Sequence, residues 1–264
     1  MNNLLERAAD ADGIPVVWIQ PGNQDADARI VLWLPWLTGM KEDAIPFLAE
    51  LAGRGFTAVS FDLWQHGERG TETGEQIAAR VFGGFRRHMW PILGQTTLDA
   101  LRVADWAAAE FGARDVAAGG VSAGGDIAVA LAGIDQRISR VAAIVATPDW
   151  TRPGMQDIGD PSRVLPQGEP DAYAQWFYDH LDPLSHLGHY ARAPAIAFEC
   201  GADDTHVQSA WALRFRDALA KAYPQAAAGV RVTVHPGTGH MESAQNPALF
   251  QSCLAWLAED HTHP

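Results

Sequence analysis

The chain has 264 residues, of which 47% are hydrophobic and 19% are charged. This composition is typical of one large folded domain and not of a disordered chain. The formal net charge of −13 argues against nucleic acid or an anionic membrane surface as a partner. No apolar run approaches the length of a membrane span, and residues 1–13 lack the cationic start and apolar core of a signal peptide. We therefore expect a soluble cytoplasmic protein, and the oligomeric state stays open, a homodimer included.

Two cysteines, Cys200 and Cys253, are too few for a disulfide framework. We expect both to be buried free thiols, because free cysteine is among the most often buried residue types. No arrangement of Cys and His shows the spacing of zinc ligands. The sequence therefore predicts neither a metal ion nor an organic cofactor.

Apolar runs alternate with segments of helical periodicity along most of the chain. In chain order the sequence predicts strand 29–34, helix 42–53, strand 57–61, helix 96–111, strand 114–121, helix 123–132, strand 141–146, strand 195–200, helix 207–222, strand 230–234 and helix 247–259. Strands and helices in this alternation pair in parallel through right-handed crossovers. The predicted fold class is therefore α/β, with a mostly parallel central sheet flanked by helices.

Residues 147–192 interrupt this alternation. The segment is rich in Pro, Gly and Asp, has a predicted helix over residues 170–181, and carries an aromatic cluster of Tyr173, Trp176, Phe177 and Tyr178. Irregular segments of this length inside a compact domain are usually functional. We predict one domain over residues 1–264, with residues 147–192 inserted as a lid over the carboxyl edge of the sheet. The alternative is a surface excursion without a role.

The motif Gly120-Val121-Ser122-Ala123-Gly124 lies between a predicted strand and a predicted helix. In that position G-x-S-x-G is typical of a nucleophile elbow, a sharp turn that projects the serine hydroxyl from the sheet edge. The glycines on either side are needed because a Cβ there would collide with the neighbouring strand or helix. The following helix directs its positive end towards a developing oxyanion. Ser122 is therefore the candidate nucleophile.

A serine hydroxyl needs a base to take its proton and a carboxylate to orient that base. After strand 195–200 the chain reads G-A-D-D-T-H-V, which includes Asp203 and Asp204, and after strand 230–234 it reads H-P-G-T-G-H, which ends at His240. Both segments follow strand carboxyl ends, where crevices form in open α/β sheets. The order Ser, acid, His is the order of a hydrolase triad.

These residues resemble the α/β-hydrolase superfamily, in particular its esterase, dienelactone hydrolase and S9 peptidase branches, over nearly the whole chain. The acid turn of that superfamily commonly reads G-x-x-D-x-x-V, which implies that Asp204 is the catalytic acid, with Asp203 as the alternative. Its histidine loop commonly ends G-x-G-H, which implies that His240 is the base. His206 and His235 do not fit the spacing of the superfamily. The resemblance also implies an α/β-hydrolase fold.

The oxyanion segment departs from the superfamily pattern H-G-x-x-G, since Pro35 and Trp36 stand where His and Gly are usual. The resemblance implies that the backbone N–H groups of Leu37 and Ala123 form the oxyanion hole, because main-chain donors survive side-chain substitution. Trp36 adds bulk there and is expected to reshape the acyl pocket.

The segment from Asp62 to Gly67 matches a D-x-x-x-H-G pattern that recurs in esterase-like members. The resemblance favours a structural role for His66, hydrogen-bonded to backbone near the site, over a catalytic one. Trp36, Trp64 and Trp150 follow strand ends and are the candidate substrate-binding residues, whereas most of the other tryptophans are expected in the core.

The sequence therefore predicts a serine hydrolase that cleaves a small-molecule ester through an acyl-enzyme on Ser122. A thioesterase, a peptidase, and an acyltransferase or cyclase would use the same triad and stay as alternatives. A protein of this fold that binds a small ligand without catalysis is the alternative from another class. A serine nucleophile in place of aspartate argues against dehalogenase or epoxide hydrolase chemistry.

Overall fold

A computed structural model of the chain describes residues 6–22, 29–113 and 115–259. Within these residues eight strands form one sheet. They are β1 (Glu6–Asp10), β2 (Pro15–Ile19), β3 (Arg29–Leu34), β4 (Phe56–Phe61), β5 (Val116–Val121), β6 (Ile138–Ile144), β7 (Ala195–Gly201) and β8 (Val230–His235). Their order across the sheet is β1-β2-β4-β3-β5-β6-β7-β8.

All neighbouring pairs from β4 to β8 are parallel, whereas β1 pairs antiparallel with β2, and β2 pairs antiparallel with β4. The prediction of a mostly parallel sheet is confirmed. Because parallel strands end at the same edge, the loops that follow β3, β4, β5, β6, β7 and β8 gather there.

Helices cover both faces of the sheet. They are α1 (Ile45–Gly53), α2 (Gly74–Gly83), α3 (Phe85–Phe111), α4 (Ala123–Ile134), α5 (Ala172–Leu181), α6 (Ser209–Ala222), α7 (Pro224–Ala228), α8 (His240–Ala244) and α9 (Pro247–Ala258). Buried residues of α3, α4 and α6 form a core on one face, and those of α1 and α9 form a core on the other. Along β3, Ile30 and Leu32 belong to the first core and Val31 and Trp33 to the second. This alternation explains why the strand reads as an unbroken apolar run.

Every predicted strand and helix is present, with ends shifted by a few residues except in α3. Of the predicted strand 114–121, Arg114 lies outside the described residues, and the observed strand begins at Val116. Two strands, β1 and β2, and three helices, α2, α7 and α8, were not predicted from the sequence. The β1 strand is largely exposed and lacks a clear alternation of apolar residues. The α2 helix has a detectable signal, a capping box of Thr73 with Gln76 followed by the buried pair Ile77 and Val81.

The α3 helix begins eleven residues before the predicted start and continues through Pro91. A proline inside a helix removes one backbone hydrogen bond. Burial offsets that loss, since Met89 and Trp90 before the proline and Ile92 after it are 1%, 3% and 0% exposed. Gly112 ends the helix with φ +72°, a left-handed conformation that glycine adopts without steric cost.

The segment 147–192 contains α5, a short 3₁₀ turn over Leu187–Tyr190 and an isolated antiparallel bridge between Gln156 and Val164. The α5 helix packs against α3, and the aromatic cluster joins the two, since the rings of Trp90 and Tyr178 stack with centroids 4.5 Å apart. The predicted helix is present. The predicted lid function stays a prediction.

Both cysteines are buried and unpaired, which confirms that prediction. The part of the chain that the structure describes contains no helix that is both long enough and apolar enough to cross a membrane.

Candidate active site

Ser122 directly follows β5 and precedes the first residue of α4. Its backbone has φ +52° and ψ −117°, a conformation that non-glycine residues rarely adopt and that costs on the order of 1–3 kcal/mol. Hydrogen bonds on both sides hold the turn, because the Ser122 N–H donates to the carbonyl oxygen of Ile144 and its own carbonyl accepts from Asp126 N–H, at 2.8 and 3.0 Å. The turn has the strained geometry expected of a nucleophile elbow.

Two glycines of the motif are required by close backbone approach. A Cβ on Gly120 would lie 2.6 Å from the carbonyl oxygen of Leu34. A Cβ on Gly124 would collide with the carbonyl oxygens of Leu34 and Pro35. The end of β3 therefore passes so close to the turn that only glycine fits at both positions.

The His240 ring is held by Asp204. Nδ1 of His240 lies 2.8 Å from Oδ2 of Asp204. The other carboxylate oxygen of Asp204, Oδ1, accepts the backbone N–H groups of His206 and Val207 at 2.9 and 2.7 Å. Asp203, the alternative acid, is exposed. The carboxylate that reaches His240 is thus that of Asp204.

Backbone contacts fix the acid loop against the histidine loop. The Ala202 N–H donates to the carbonyl oxygen of His235 at 2.9 Å, and the Asp203 N–H donates to that of Thr238 at 3.0 Å. The acid and the histidine are therefore placed by main-chain geometry as well as by their own hydrogen bond.

Ser122, Asp204 and His240 lie at the same edge, since their loops follow parallel strands β5, β7 and β8. Their exposed fractions are 8%, 4% and 9%, so the three side chains are shielded without being sealed. Among the described residues no hydrogen bond joins the Ser122 hydroxyl to His240. Catalytic hydrogen bonds are often long before substrate binds.

The backbone N–H groups of Leu37 and Ala123 have no acceptor within the described residues. Ala123 starts α4, so its N–H belongs to the positive end of that helix. Leu37 precedes Thr38, which has φ +74°. One unpaired donor lies directly after Ser122 and the other in the loop after β3, and an oxyanion site requires two such donors.

His66 supports the loop that carries Leu37. Nε2 of His66 accepts the Thr38 N–H at 3.1 Å, and Nδ1 lies 3.0 Å from the carbonyl oxygen of Trp64. Nδ1 therefore carries the proton and donates a hydrogen bond to the carbonyl oxygen of Trp64. Burial lowers the pKa of His66, which keeps the ring neutral and able to accept from Thr38. This is the structural role that the sequence predicted.

A buried ion pair fixes the same loop from the other side. The Asp62 side chain is fully buried; its carboxylate accepts the Lys41 backbone N–H at 2.8 Å and lies 3.3 Å from Lys41 Nζ. The Lys41 side chain is also nearly buried, and Glu68 adds a further contact at 2.5 Å. The segment from Asp62 to Glu68 thus holds Lys41, just beyond the loop that carries Leu37.

A second buried ion pair involves α4, the helix that begins directly after Ser122. Asp126, one turn into α4, accepts the Thr147 N–H at 2.7 Å through Oδ1 and contacts the Arg152 guanidinium through Oδ2. Both side chains are almost completely buried, and Arg152 has φ +41°. Burial raises the pKa of the Asp126 carboxyl, and the Arg152 charge opposes that rise. The pair ties the nucleophile helix to the turn after β6.

His206 packs against His240, with ring centroids 5.0 Å apart. Its Nδ1 lies 2.8 Å from the carbonyl oxygen of Gln156. Burial lowers the pKa of His206 to about 3, and the nearby charges of His240 and Arg152 contribute to the decrease. On its other side His206 meets the Phe82 ring of α2, 5.6 Å away.

The three tryptophans predicted to bind substrate have different positions. Trp36 is partly buried against the second core, and Trp64 is partly buried with its ring 6.4 Å from that of Tyr173. Trp150 is 0% exposed, so the expectation that it forms a pocket wall is corrected. Its carbonyl oxygen accepts from Trp90 Nε1 at 2.8 Å and its N–H donates to Asp182 at 2.7 Å, which holds it in the core.

The described residues contain no group of three or more His, Cys, Asp or Glu side chains arranged to hold a metal ion.

A family model for the prolyl oligopeptidase family matches residues 84–263. The chain belongs to the prolyl oligopeptidase family. It is therefore a member of a family of serine hydrolases, and the resemblance to the α/β-hydrolase superfamily is confirmed. The matched region includes Ser122, Asp204 and His240 but not Leu37. No curated protein sequence matches the chain.

Solved structures match this member of the prolyl oligopeptidase family across almost its whole length. TT1662 from Thermus thermophilus has 24% identity and a TM-score of 0.76, over 98% of this chain and 100% of that one. A protein from Klebsiella pneumoniae assigned as a dienelactone hydrolase has 18% identity and a TM-score of 0.69, over 98% and 100%. A cold-adapted esterase from an Arctic intertidal metagenomic library has 18% identity and a TM-score of 0.63, over 96% and 92%. These similarities confirm the α/β-hydrolase fold.

The sequence of this family member does not indicate which residues surround Ser122, Asp204 and His240. Asp126 and Arg152 are separated by 26 positions, and Phe82 lies on the missed helix α2. The spacing of charges along the chain does not show that such residues meet. The helix signal at Thr73 would have located Phe82 on a helix without showing its contact with His206.

We expect Arg152→Met to lower the free energy of unfolding by about 3–5 kcal/mol, because it leaves the Asp126 carboxylate buried without its partner. Urea unfolding measures the loss. Adding Asp126→Asn to this variant should recover part of it, since the uncompensated charge is then gone. Arg216→Met is the control, because Arg216 pairs with Asp217 on the surface and should change stability by less than about 1 kcal/mol. Equal losses at both arginines would contradict the buried-pair interpretation.

His206 should make the protein less stable in acid. Its folded pKa lies below the ordinary value of 6.5, so the unfolded chain takes up the proton first as the pH falls. Stability is therefore highest above pH 6.5 and decreases below it, by at most about 1.4 kcal/mol per pH unit for one proton. Urea unfolding of wild type and His206→Asn between about pH 4.5 and 7.5 should show a smaller slope in the variant. Parallel slopes would contradict a neutral buried His206.

Proposed function

We propose that the chain is a carboxylic ester hydrolase that forms an acyl-enzyme on Ser122. The observation that carries this proposal is the strained turn at Ser122 beside the hydrogen-bonded Asp204–His240 pair. The similar structures assigned as a dienelactone hydrolase and an esterase support ester cleavage.

In this mechanism the Ser122 hydroxyl attacks the ester carbonyl and His240 Nε2 takes its proton. Asp204 accepts a hydrogen bond from His240 Nδ1–H. This bond fixes the tautomer of His240 and stabilises its imidazolium form. The N–H groups of Leu37 and Ala123 stabilise the tetrahedral oxyanion. His240 then gives the proton to the leaving alcohol. In the second half of the reaction water gives a proton to His240 and attacks the acyl-enzyme carbonyl. The acid product leaves as His240 returns the proton to Ser122.

We also propose that residues 147–192 act as a lid. Their support is the contact of Gln156 with the acid loop, because its N–H donates to the carbonyl oxygen of Thr205 at 3.0 Å and its own carbonyl accepts from His206. Movement of this segment would therefore be transmitted to the loop that carries Asp204.

Peptide hydrolysis is the second candidate, because the family model itself describes prolyl oligopeptidases. A peptidase would use the same triad, and an amide differs from an ester in its poorer leaving group. Parallel assays with p-nitrophenyl esters and aminoacyl p-nitroanilides separate the two. Faster turnover of the anilides would replace the ester assignment.

Ser122→Ala should abolish hydrolysis of p-nitrophenyl esters from acetate to decanoate, with a loss on the order of 10⁴- to 10⁶-fold in kcat. The reason is that no other hydroxyl lies at the elbow. Ser185→Ala, at an exposed serine of the 147–192 segment, is the control and should retain activity. Equal turnover by wild type and Ser122→Ala would overturn the mechanism.

The rate should increase with pH, because only a neutral imidazole at His240 accepts the serine proton. The measurement is kcat/KM for p-nitrophenyl acetate, corrected for spontaneous hydrolysis. A flat profile would show that His240 is not the base.

A further inference from the structure

The α2 helix crosses the site from the oxyanion loop to the acid loop. At its first residue, a Cβ on Gly74 would lie 3.2 Å from Cβ of Thr38. Near its last residue, the Phe82 ring meets that of His206. Ile77 and Val81 anchor the helix in the core, while Phe82 is only partly buried. One short helix thus borders both ends of the catalytic apparatus.

Phe82, His206 and His240 form a series of edge-to-face contacts. The Phe82 and His206 planes meet at 78° with centroids 5.6 Å apart, and the His206 and His240 planes meet at 65° with centroids 5.0 Å apart. The hydrogen bond of His206 Nδ1 to Gln156 fixes the middle ring. We call Phe82 and His206 the aromatic wall.

The aromatic wall carries no net charge. His206 is neutral because burial lowers its pKa to about 3. Arg80, on the same helix as Phe82, is neutralised by Glu72, which accepts three contacts from its guanidinium at 2.6 to 3.0 Å. A flat uncharged group would therefore be accommodated better than a charged one.

The position of the aromatic wall assigns it to one half of the substrate. His240 must give its proton to the leaving oxygen, so that oxygen lies within about 3 Å of the ring. The His206 ring borders that of His240, and the Phe82 ring borders that of His206 in turn. The acyl group is bonded to Ser122 instead, and it stays after the leaving group has departed.

We propose that Phe82 and His206 form the leaving-group subsite and favour esters of aromatic alcohols. This inference rests on the proposed ester hydrolysis. Edge-to-face contact between aromatic rings stabilises beyond simple burial, and it is available only to an aromatic leaving group.

Phenyl acetate and 2,2,2-trifluoroethyl acetate test this, because they share the acetyl group and differ in the leaving group. In Phe82→Leu we expect the ratio of kcat/KM for phenyl to that for trifluoroethyl ester to decrease about three- to tenfold relative to wild type. Comparison with wild type cancels the intrinsic reactivity of the two esters. The deacylation rate of the acetyl-enzyme should not change, since the leaving group is then absent.

Two variants control for folding. Phe111→Leu shortens another partly buried phenylalanine at a helix end, which packs on Trp18 and Trp106 away from the site, and it should keep the wild-type ratio. Phe82→Tyr retains the ring and should also keep the ratio, even if Phe82→Leu folds poorly.

An unchanged ratio in Phe82→Leu, or the same decrease in Phe111→Leu, would overturn the leaving-group subsite while Ser122-dependent turnover stands. A slower deacylation without a change in ratio would also overturn it, because the wall would then serve the acyl group. Absence of Ser122-dependent turnover of both esters by the wild type would overturn the proposed function, and this inference with it.

Discussion

The parallel pairing of β5, β6, β7 and β8 is the constraint on which the rest of the site depends. The register carries Ser122, Asp204 and His240 to one edge, although 118 positions separate the first from the last. Among the described residues no side-chain hydrogen bond holds the serine near the histidine. The sheet does so, and each loop needs only a short path from its strand to reach the common crevice.

Around this edge main-chain hydrogen bonds orient the side chains of Asp204 and His66. Asp204 accepts two backbone N–H groups besides His240, and His66 both accepts from and donates to backbone. Such contacts limit the motion of the two loops that carry Leu37 and Asp204. The two buried ion pairs, Lys41 with Asp62 and Asp126 with Arg152, fix the segments behind them, at the desolvation cost that buried charges carry.

The hydrogen-bond partner of each ring explains the different roles of the three histidines near the site. His66, His206 and His240 all lie close to the site, yet each has its Nδ1 hydrogen bonded to a different oxygen: that of Trp64, of Gln156 and of Asp204 respectively. Only the last is a carboxylate, which can stabilise a protonated ring. The other two rings are buried against carbonyl groups and stay neutral, so they shape the site without competing as bases.

The sequence by itself determined the strand and helix order, the elbow at Ser122 and the loops of Asp204 and His240, because each follows from local periodicity or a short motif. It left Asp203 and Asp204 as alternatives, because adjacent residues differ only in the direction in which folding points their side chains. For the same reason it wrongly placed the Trp150 side chain in the pocket wall. Tertiary structure alone decided the contact between Phe82 on α2 and His206 that forms the aromatic wall. The partners of that wall, like those of the buried ion pairs, come from distant segments, and the distance between them is set by packing and not by any local pattern.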